Sequence, residues 1–228
     1  MRLSLLFLVP LMQACGDEPA PPQPAVATPS PEPAGREMPA QTAGGPGTIK
    51  GTIETAWLRR YEVIVYLEKI PGEFEPPAEK PRIDQKSKIF VPHLLPILKG
   101  TTVTYVNGDD TEHNVYFVQP DGAKLNLGTG KGDWSKDHTF EKAGVYAHRC
   151  NIHDEMSAFL IAFENPFFAH VPKNVKKTGE FTIERVPAGT WTLKVWCEKF
   201  YETPDDTFNR GFEVAVEEGK TTEIVLKP

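Results

Sequence analysis

Tyr146-Ala147-His148-Arg149-Cys150-Asn151-Ile152-His153-Asp154-Glu155-Met156 places a thiol, an imidazole and a thioether within seven residues. A second imidazole, His113, lies upstream in Glu112-His113-Asn114-Val115. Taken singly, each has an ordinary explanation. A lone cysteine is most often a small buried hydrophobe, a lone Met156 belongs to a core, and a lone His153 sits on a surface. Together they form a set: two imidazoles and a thiolate give a trigonal plane, and a weak axial thioether completes it. That set suits Cu(I) and Cu(II) alike, so little has to move when an electron arrives.

Working outward, the flanks read as strands. Gly144-Val145-Tyr146-Ala147-His148 leads into the cluster and Phe159-Leu160-Ile161-Ala162-Phe163 leaves it. Upstream, Thr48–Ile53 alternates, Val63–Leu67 is rich in β-branched residues, and Lys88–Pro92, Thr102–Val106, Asn114–Val118 and His138–Phe140 follow. Each is bounded by Gly, Asn, Asp or Pro, and no segment sustains a helical period. Many short strands with regular turn signals predict an all-β chain built of β-sandwiches.

Five motifs, in order, carry a resemblance. They are Phe90-Val91-Pro92, Lys99-Gly100-Thr101-Thr102-Val103-Thr104-Tyr105-Val106-Asn107, His113-Asn114-Val115, Gly144-Val145-Tyr146 and Cys150-x-x-His153-x-x-Met156. From about Ile83 to Phe163 the chain resembles a plastocyanin-like cupredoxin, and its short ligand loop is similar to that of amicyanins. The resemblance implies a Greek-key β-sandwich holding one type 1 copper through His113, Cys150, His153 and Met156. It also implies that Asn114 ties the two ligand loops together and turns its backbone N–H toward the thiolate. Two positions depart from the pattern. His148 stands where an apolar or aromatic residue is usual; it is either a core histidine with a hydrogen-bond partner or a perturbation of the site. Asp154 and Glu155 stand where an apolar rim is usual. They favour a basic redox partner, such as a cytochrome c or an oxidoreductase, or are simply a solvated loop.

Beyond the cluster, Gly179-Glu180-Phe181-Thr182-Ile183 followed by Val186-Pro187-Ala188-Gly189-Thr190-Trp191 resembles a carboxypeptidase-regulatory-like, or transthyretin-like, β-sandwich. Strands Gly47–Ile53 and Val63–Leu67 are the candidates for its missing first strands. The expectation is an insertion: residues 47–80 and 166–228 form this smaller sandwich, and residues 81–165 form the cupredoxin-like domain within it. Insertion is tolerated where the ends of the inserted segment lie close together. The alternative is a tandem arrangement. The whole resembles bacterial methylamine-utilisation and plastocyanin-like lipoproteins.

The first residues read as an address. Arg2 precedes the short apolar run Leu3–Met12, and Gln13-Ala14-Cys15-Gly16 resembles a bacterial lipoprotein processing site, with Met12 where leucine is usual. Residues 1–14 are then a signal peptide, and Cys15 carries lipid. Residues 15–46, rich in Pro, Ala and Thr, can bury no core and form a disordered tether extending about 3.1 Å per residue where the polyproline conformation holds. A plain secretory signal is the alternative. Either reading exports the protein, and the first anchors it to a membrane of the periplasm or cell envelope.

A net charge of −6 gives no basic surface for nucleic acid. The three cysteines, Cys15, Cys150 and Cys197, do not suggest a disulfide framework; Cys197 is expected as a buried thiol. His93, His138 and His170 are expected in core, sheet or linker positions. With no nucleophile–base constellation and no second metal cluster in the sequence, no enzymatic activity is expected. The leading function is a membrane-tethered electron carrier. A copper chaperone and a non-redox interaction module are the alternatives, and the chain has none of the Met- or His-rich runs a chaperone would use.

Overall fold

The computed structural model describes residues 45–174, 176–202 and 211–227. The expected signal peptide, the expected lipidation at Cys15 and the expected tether up to residue 44 lie outside the described residues. The strands are β1 (Pro46–Glu54), β2 (Val63–Glu68), β3 (Arg82–Lys86), β4 (Ile89–Val91), β5 (Leu94–Leu98), β6 (Thr102–Asn107), β7 (His113–Val118), β8 (Lys124–Gly130), β9 (Ser135–Thr139), β10 (Gly144–Arg149), β11 (Ser157–Phe163), β12 (Phe168–Val171), β13 (Thr178–Pro187), β14 (Gly189–Cys197), β15 (Phe212–Val216) and β16 (Thr221–Leu226). One 3₁₀ turn, Ala56–Arg59, and one short helix, α1 (Glu198–Glu202), interrupt them. The described chain is all-β apart from these.

Among the described residues four sheets form, and their membership divides the chain. β13-β1-β16 and β12-β2-β14-β15 draw only on strands outside residues 82–163. β4-β3-β6-β9 and β5-β11-β10-β7-β8 draw only on strands within them. β2 and β12, which flank the inner block, are themselves antiparallel neighbours, with Phe168 opposite Tyr66 and Val171 opposite Val63. The chain therefore leaves the outer sandwich and returns to it at adjacent strands.

Strand periodicity explains how the layers stack. Along β11, Ala158, Leu160 and Ala162 face the core shared with β6, β7 and β10, which includes Val103, Tyr105, Val115, Phe117 and Phe140. Phe159, Ile161 and Phe163 face the opposite way, into an apolar layer with Ile64, Leu94 and Ala147. β2 divides likewise: Val63, Val65 and Leu67 enter the outer core with Phe181, Trp191 and Leu193, while Ile64 enters the middle layer. A strand buried on both faces reads as a continuous apolar run and not as an alternation. This is why Val63–Leu67 and Phe159–Phe163 are the two most uniformly apolar stretches of the folded chain. The middle layer welds the two sandwiches along this shared seam.

Four strands carry too little pattern to be read from the sequence. β3 is mostly charged and buries only Ile83 and Gln85. β5 contains Pro96, which interrupts a strand pattern, yet it lies at a sheet edge, where proline is tolerated. β8 is the opposite edge of that sheet and ends in glycines. β12 is only four residues long. In β13, Ile183 and Val186 both face the core despite their odd spacing. A register shift opposite Gly47–Ile49, with Arg185 at a φ of 57°, absorbs the extra residue as a bulge.

Candidate metal centre

Three neighbouring strands converge on one end of the inner sandwich. β10 pairs with β11 on one side and β7 on the other. His113 opens β7, Cys150 follows the last residue of β10, and Met156 precedes the first residue of β11. Arg149 is opposite Ser157, so pairing of β10 with β11 closes the Cys150–Met156 loop at its base. Inside the loop, Met156 N–H donates to the His153 carbonyl at 3.0 Å, turning the chain back toward the core.

One donor atom each from His113, Cys150 and His153 lies within 4.8 Å of the others. The two Nδ1 atoms are 3.1 Å apart, and Cys150 Sγ is 3.9 Å from His153 Nδ1. His113, Cys150 and Met156 are buried, and His153 is half-exposed. Met156 packs in the same apolar cluster as Cys150. Two backbone N–H groups, of Asn114 and Ile152, donate to Cys150 Sγ at 3.4 Å each.

Asp109, which the sequence reading passed over, fixes the tautomer of His113. Its Oδ2 lies 2.8 Å from His113 Nε2. A carboxylate there holds the proton on Nε2, so Nδ1 presents its lone pair to the thiol and to His153. The same carboxylate accepts the backbone N–H groups of Ser87 at 2.7 Å and Lys88 at 3.0 Å. Chiefly the Lys88 N–H, and then those of Ser87 and the His113 ring, draw the Asp109 pKa down to about 2. The β3–β4 turn, with Ser87 and Lys88 both at positive φ, thus buttresses a residue on another loop. The only sequence signal was an acidic residue four positions before His113.

Asp109→Ala should weaken binding of a soft metal ion by about 10–100-fold, the usual cost of losing such a buttress. Asp109→Asn, which can still accept from Nε2–H, should lose less. Competition against a chromophoric chelator measures both. Equal affinity for Asp109→Ala and the parent chain would remove Asp109 from the site.

Asn114 differs from its expected role. Its backbone N–H does point at Cys150 Sγ. Its side-chain amide, however, donates to Asn126 Oδ1, the Gly128 carbonyl and Thr129 Oγ1, at 2.9, 2.9 and 3.2 Å. Asn114 therefore braces the His113 strand against β8, and no hydrogen bond in the described structure runs from its side chain to the Cys150 loop.

His148 resolves into a core residue. Buried completely, it donates from Nδ1 to the Tyr146 carbonyl at 3.1 Å and accepts from the Tyr105 hydroxyl at Nε2, at 2.6 Å. Both ring nitrogens are satisfied by a neutral imidazole, and desolvation holds its pKa near 3. Phe117 packs against it at a centroid distance of 4.9 Å. His138 lies in β9, with its pKa lowered by burial, and His170 lies in β12, 3.4 Å from Glu62. Cys150 and Cys197 are both free thiols, in separate cores.

The donor set fits a soft or borderline ion. One thiolate-type sulfur and two imidazoles are the donors that select copper or zinc over the hard cations. A lone pair on His113 Nδ1, aimed at a second imidazole and a thiol, needs a proton or a cation among them to be stable. Around the half-exposed His153, the residues Asn151, Ile152, Asp154 and Glu155 are exposed.

No family model matches the chain. No curated protein matches it either. Among solved structures, it is similar to a purple cupredoxin from Nitrosopumilus maritimus, at 24% identity and a TM-score of 0.33, covering 37% of this chain and all of that one. It is similar also to a methionine-to-alanine variant of amicyanin in its Cu(I) form, at 25% identity and a TM-score of 0.35, covering 43% of this chain and 98% of that one. A reduced tryptophan-to-tyrosine amicyanin variant gives 25% identity and a TM-score of 0.36 over the same shares. Scores this low leave the case for a metal centre resting on the donor atoms themselves.

Proposed function

We propose that this chain is an extracytoplasmic, membrane-tethered electron carrier that holds one copper ion through His113, Cys150, His153 and Met156. The observation that carries the reading is the meeting of His113 Nδ1, His153 Nδ1 and Cys150 Sγ at the end of a rigid sandwich, with two N–H groups on the sulfur. Bound copper would supply the Cu(I)/Cu(II) couple.

The chain's own residues do the rest. Asp109 orients His113 by accepting from its Nε2–H, which leaves Nδ1 facing His153 and Cys150. Asn114 N–H and Ile152 N–H lower the electron density on the sulfur and so raise the potential of whatever it binds. The apolar core around Met156 excludes water from one side, while half-exposed His153 gives a partner close approach. Asp154 and Glu155 beside it favour a basic redox protein, such as a cytochrome c or an oxidoreductase. Electron exchange with such a partner should slow as ionic strength rises. In this reading residues 81–165 are a cupredoxin-like insert in a transthyretin-like sandwich, with lipid on Cys15 and the stretch between Cys15 and β1 as the tether. It gives the chain a carrier's role, with no substrate chemistry of its own.

The test is the purified full chain with added Cu(II). An intense thiolate-to-copper band in the visible, bleached by ascorbate and restored by an oxidant, is the expected result. A colourless protein, or copper lost readily to a chelator, would overturn the carrier and favour a copper-delivery role or a non-redox scaffold.

A further inference from the structure

His93 was expected to be an ordinary core or surface residue, and its contacts are not ordinary. It stands between β4 and β5, on the inner sandwich. Its Nδ1 lies 3.0 Å from the carbonyl of Ser157, and its own carbonyl accepts the Phe159 N–H at 2.8 Å. It thus brackets the start of β11, the segment that directly follows Met156. Its Nε2 lies 2.8 Å from Glu198 Oε2, at the start of α1 in the outer sandwich. The ring of Phe159 continues the link. It packs against His93 at 6.1 Å, and against Trp196 at 5.4 Å and Tyr201 at 5.1 Å, both from the outer sandwich.

We propose that His93 is a positioning residue through which the outer sandwich fixes the start of β11, so that the β14–α1 corner tunes the metal centre at Met156. The inference rests on the copper reading for its consequence but not for its mechanics. A side chain that bonds both the Ser157 carbonyl and Glu198 transmits any displacement of that corner to the residue next to Met156. The packed Phe159–Trp196 pair leaves little slack to absorb it. Strand β11 belongs to both layers, so it has no independent position to relax into.

The linkage also has a charge state. Glu198 facing Nε2 raises the His93 pKa, chiefly through their hydrogen bond and against the cost of burial, and the Ser157 carbonyl and the Glu62 charge act the same way. The other titratable and charged groups nearby are His170, 3.4 Å from Glu62, and Arg149, which lies over the Phe159 ring. Protonated His93 donates to both of its partners. Neutral His93 can donate to only one, and the clamp slackens.

Two measurements on the full chain decide the matter. In the metal-free protein, backbone amide signals of Ser157 and Ala158 should titrate together with the His93 ring. Glu198→Gln should move that midpoint to lower pH, and His93→Phe should erase it. With copper bound, Glu198→Gln should change the reduction equilibrium by about fivefold or more, a normal size for coupling between sites, and should shift the visible band. Lys142→Ala, which removes an exposed ion pair with Asp121, should change neither. Amide shifts confined to Glu198 and α1, or an unchanged potential and band in Glu198→Gln, would overturn the proposal. Glu198→Gln is isosteric, so the test survives if His93→Phe fails to fold. Failure to form a coloured copper complex would instead strike the function proposed above, and the metal-free titration would still decide whether the corner and β11 are coupled.

Discussion

Cys150→Ser should abolish the intense visible band and leave a chain that no longer retains copper against a chelator. The hydroxyl does not ionise at working pH and is a hard donor where a soft one is needed. The loss should be chemical and not structural. Cys150 is 3% exposed and nearly isosteric with serine, and a hydroxyl oxygen can accept the same N–H groups of Asn114 and Ile152. The metal-free variant should therefore unfold within about 1 kcal/mol of the parent, the scale of one altered hydrogen bond. Absorption after Cu(II) addition and thermal melting of the metal-free protein separate the two effects. A persisting band would mean that the chromophore lies elsewhere. A collapsed melting transition would mean that Cys150 is chiefly a packing residue.

Acid should destabilise the metal-free chain well before its carboxylates titrate, because of His148. This histidine is neutral and buried in the fold, with its pKa depressed to about 3 from an ordinary value of about 6.5. Between those values the unfolded chain binds a proton that the folded chain refuses, so the contribution is complete above about pH 6.5 and is lost as pH falls. The slope approaches about 1.4 kcal/mol per pH unit over that window. His93 acts in the opposite sense: its raised pKa gives stability that is present in acid and lost as pH rises through the folded value.

Two variants isolate the His148 effect. Tyr105→Phe strands the buried Nε2 acceptor and should cost about 1–3 kcal/mol at neutral pH. Tyr105→Phe with His148→Leu removes both sides of that hydrogen bond, and should flatten the acid slope. Denaturant melts from pH 7 to 4 measure both. An equal acid slope in the parent and the double variant would show that His148 is not the group responsible.

How much of this could be read from the chain alone depended on whether one face or two faces were buried. Strands with one wet face, such as β6, β13 and β14, announce themselves by alternation. β11 and β2 announce themselves as apolar runs, but a run does not say which residue faces which core. That division, Ala158 and Leu160 to one side and Phe159 and Ile161 to the other, is fixed only when a second sheet arrives. β3, β5 and β8 hid because edge position and sheet pairing, not composition, make them strands. In the candidate site, the soft donor residues were legible because a thiol, a thioether and imidazoles at short spacing are a restricted set of residue types. Asp109 was not, because its role depends on a hairpin turn at Ser87–Lys88 brought to it by tertiary folding. His148 was legible as an oddity; its resolution required Tyr105 to be across the core.

The amino-acid sequence by itself determined which soft donors exist, their order, and the strand periods that make an all-β chain, since these follow from side-chain chemistry and local alternation. The tertiary structure alone decided the rest. Pairing of β7, β10 and β11 brings His113 to Cys150 and His153, because the start of β7, the close of β10 and the start of β11 lie side by side in one sheet. Asp109 selects the nitrogen that His113 presents, because the Nε2 proton needs an acceptor. The shared seam along β11 joins the Cys150–Met156 loop to the outer sandwich, because a strand buried on both faces belongs to two cores at once.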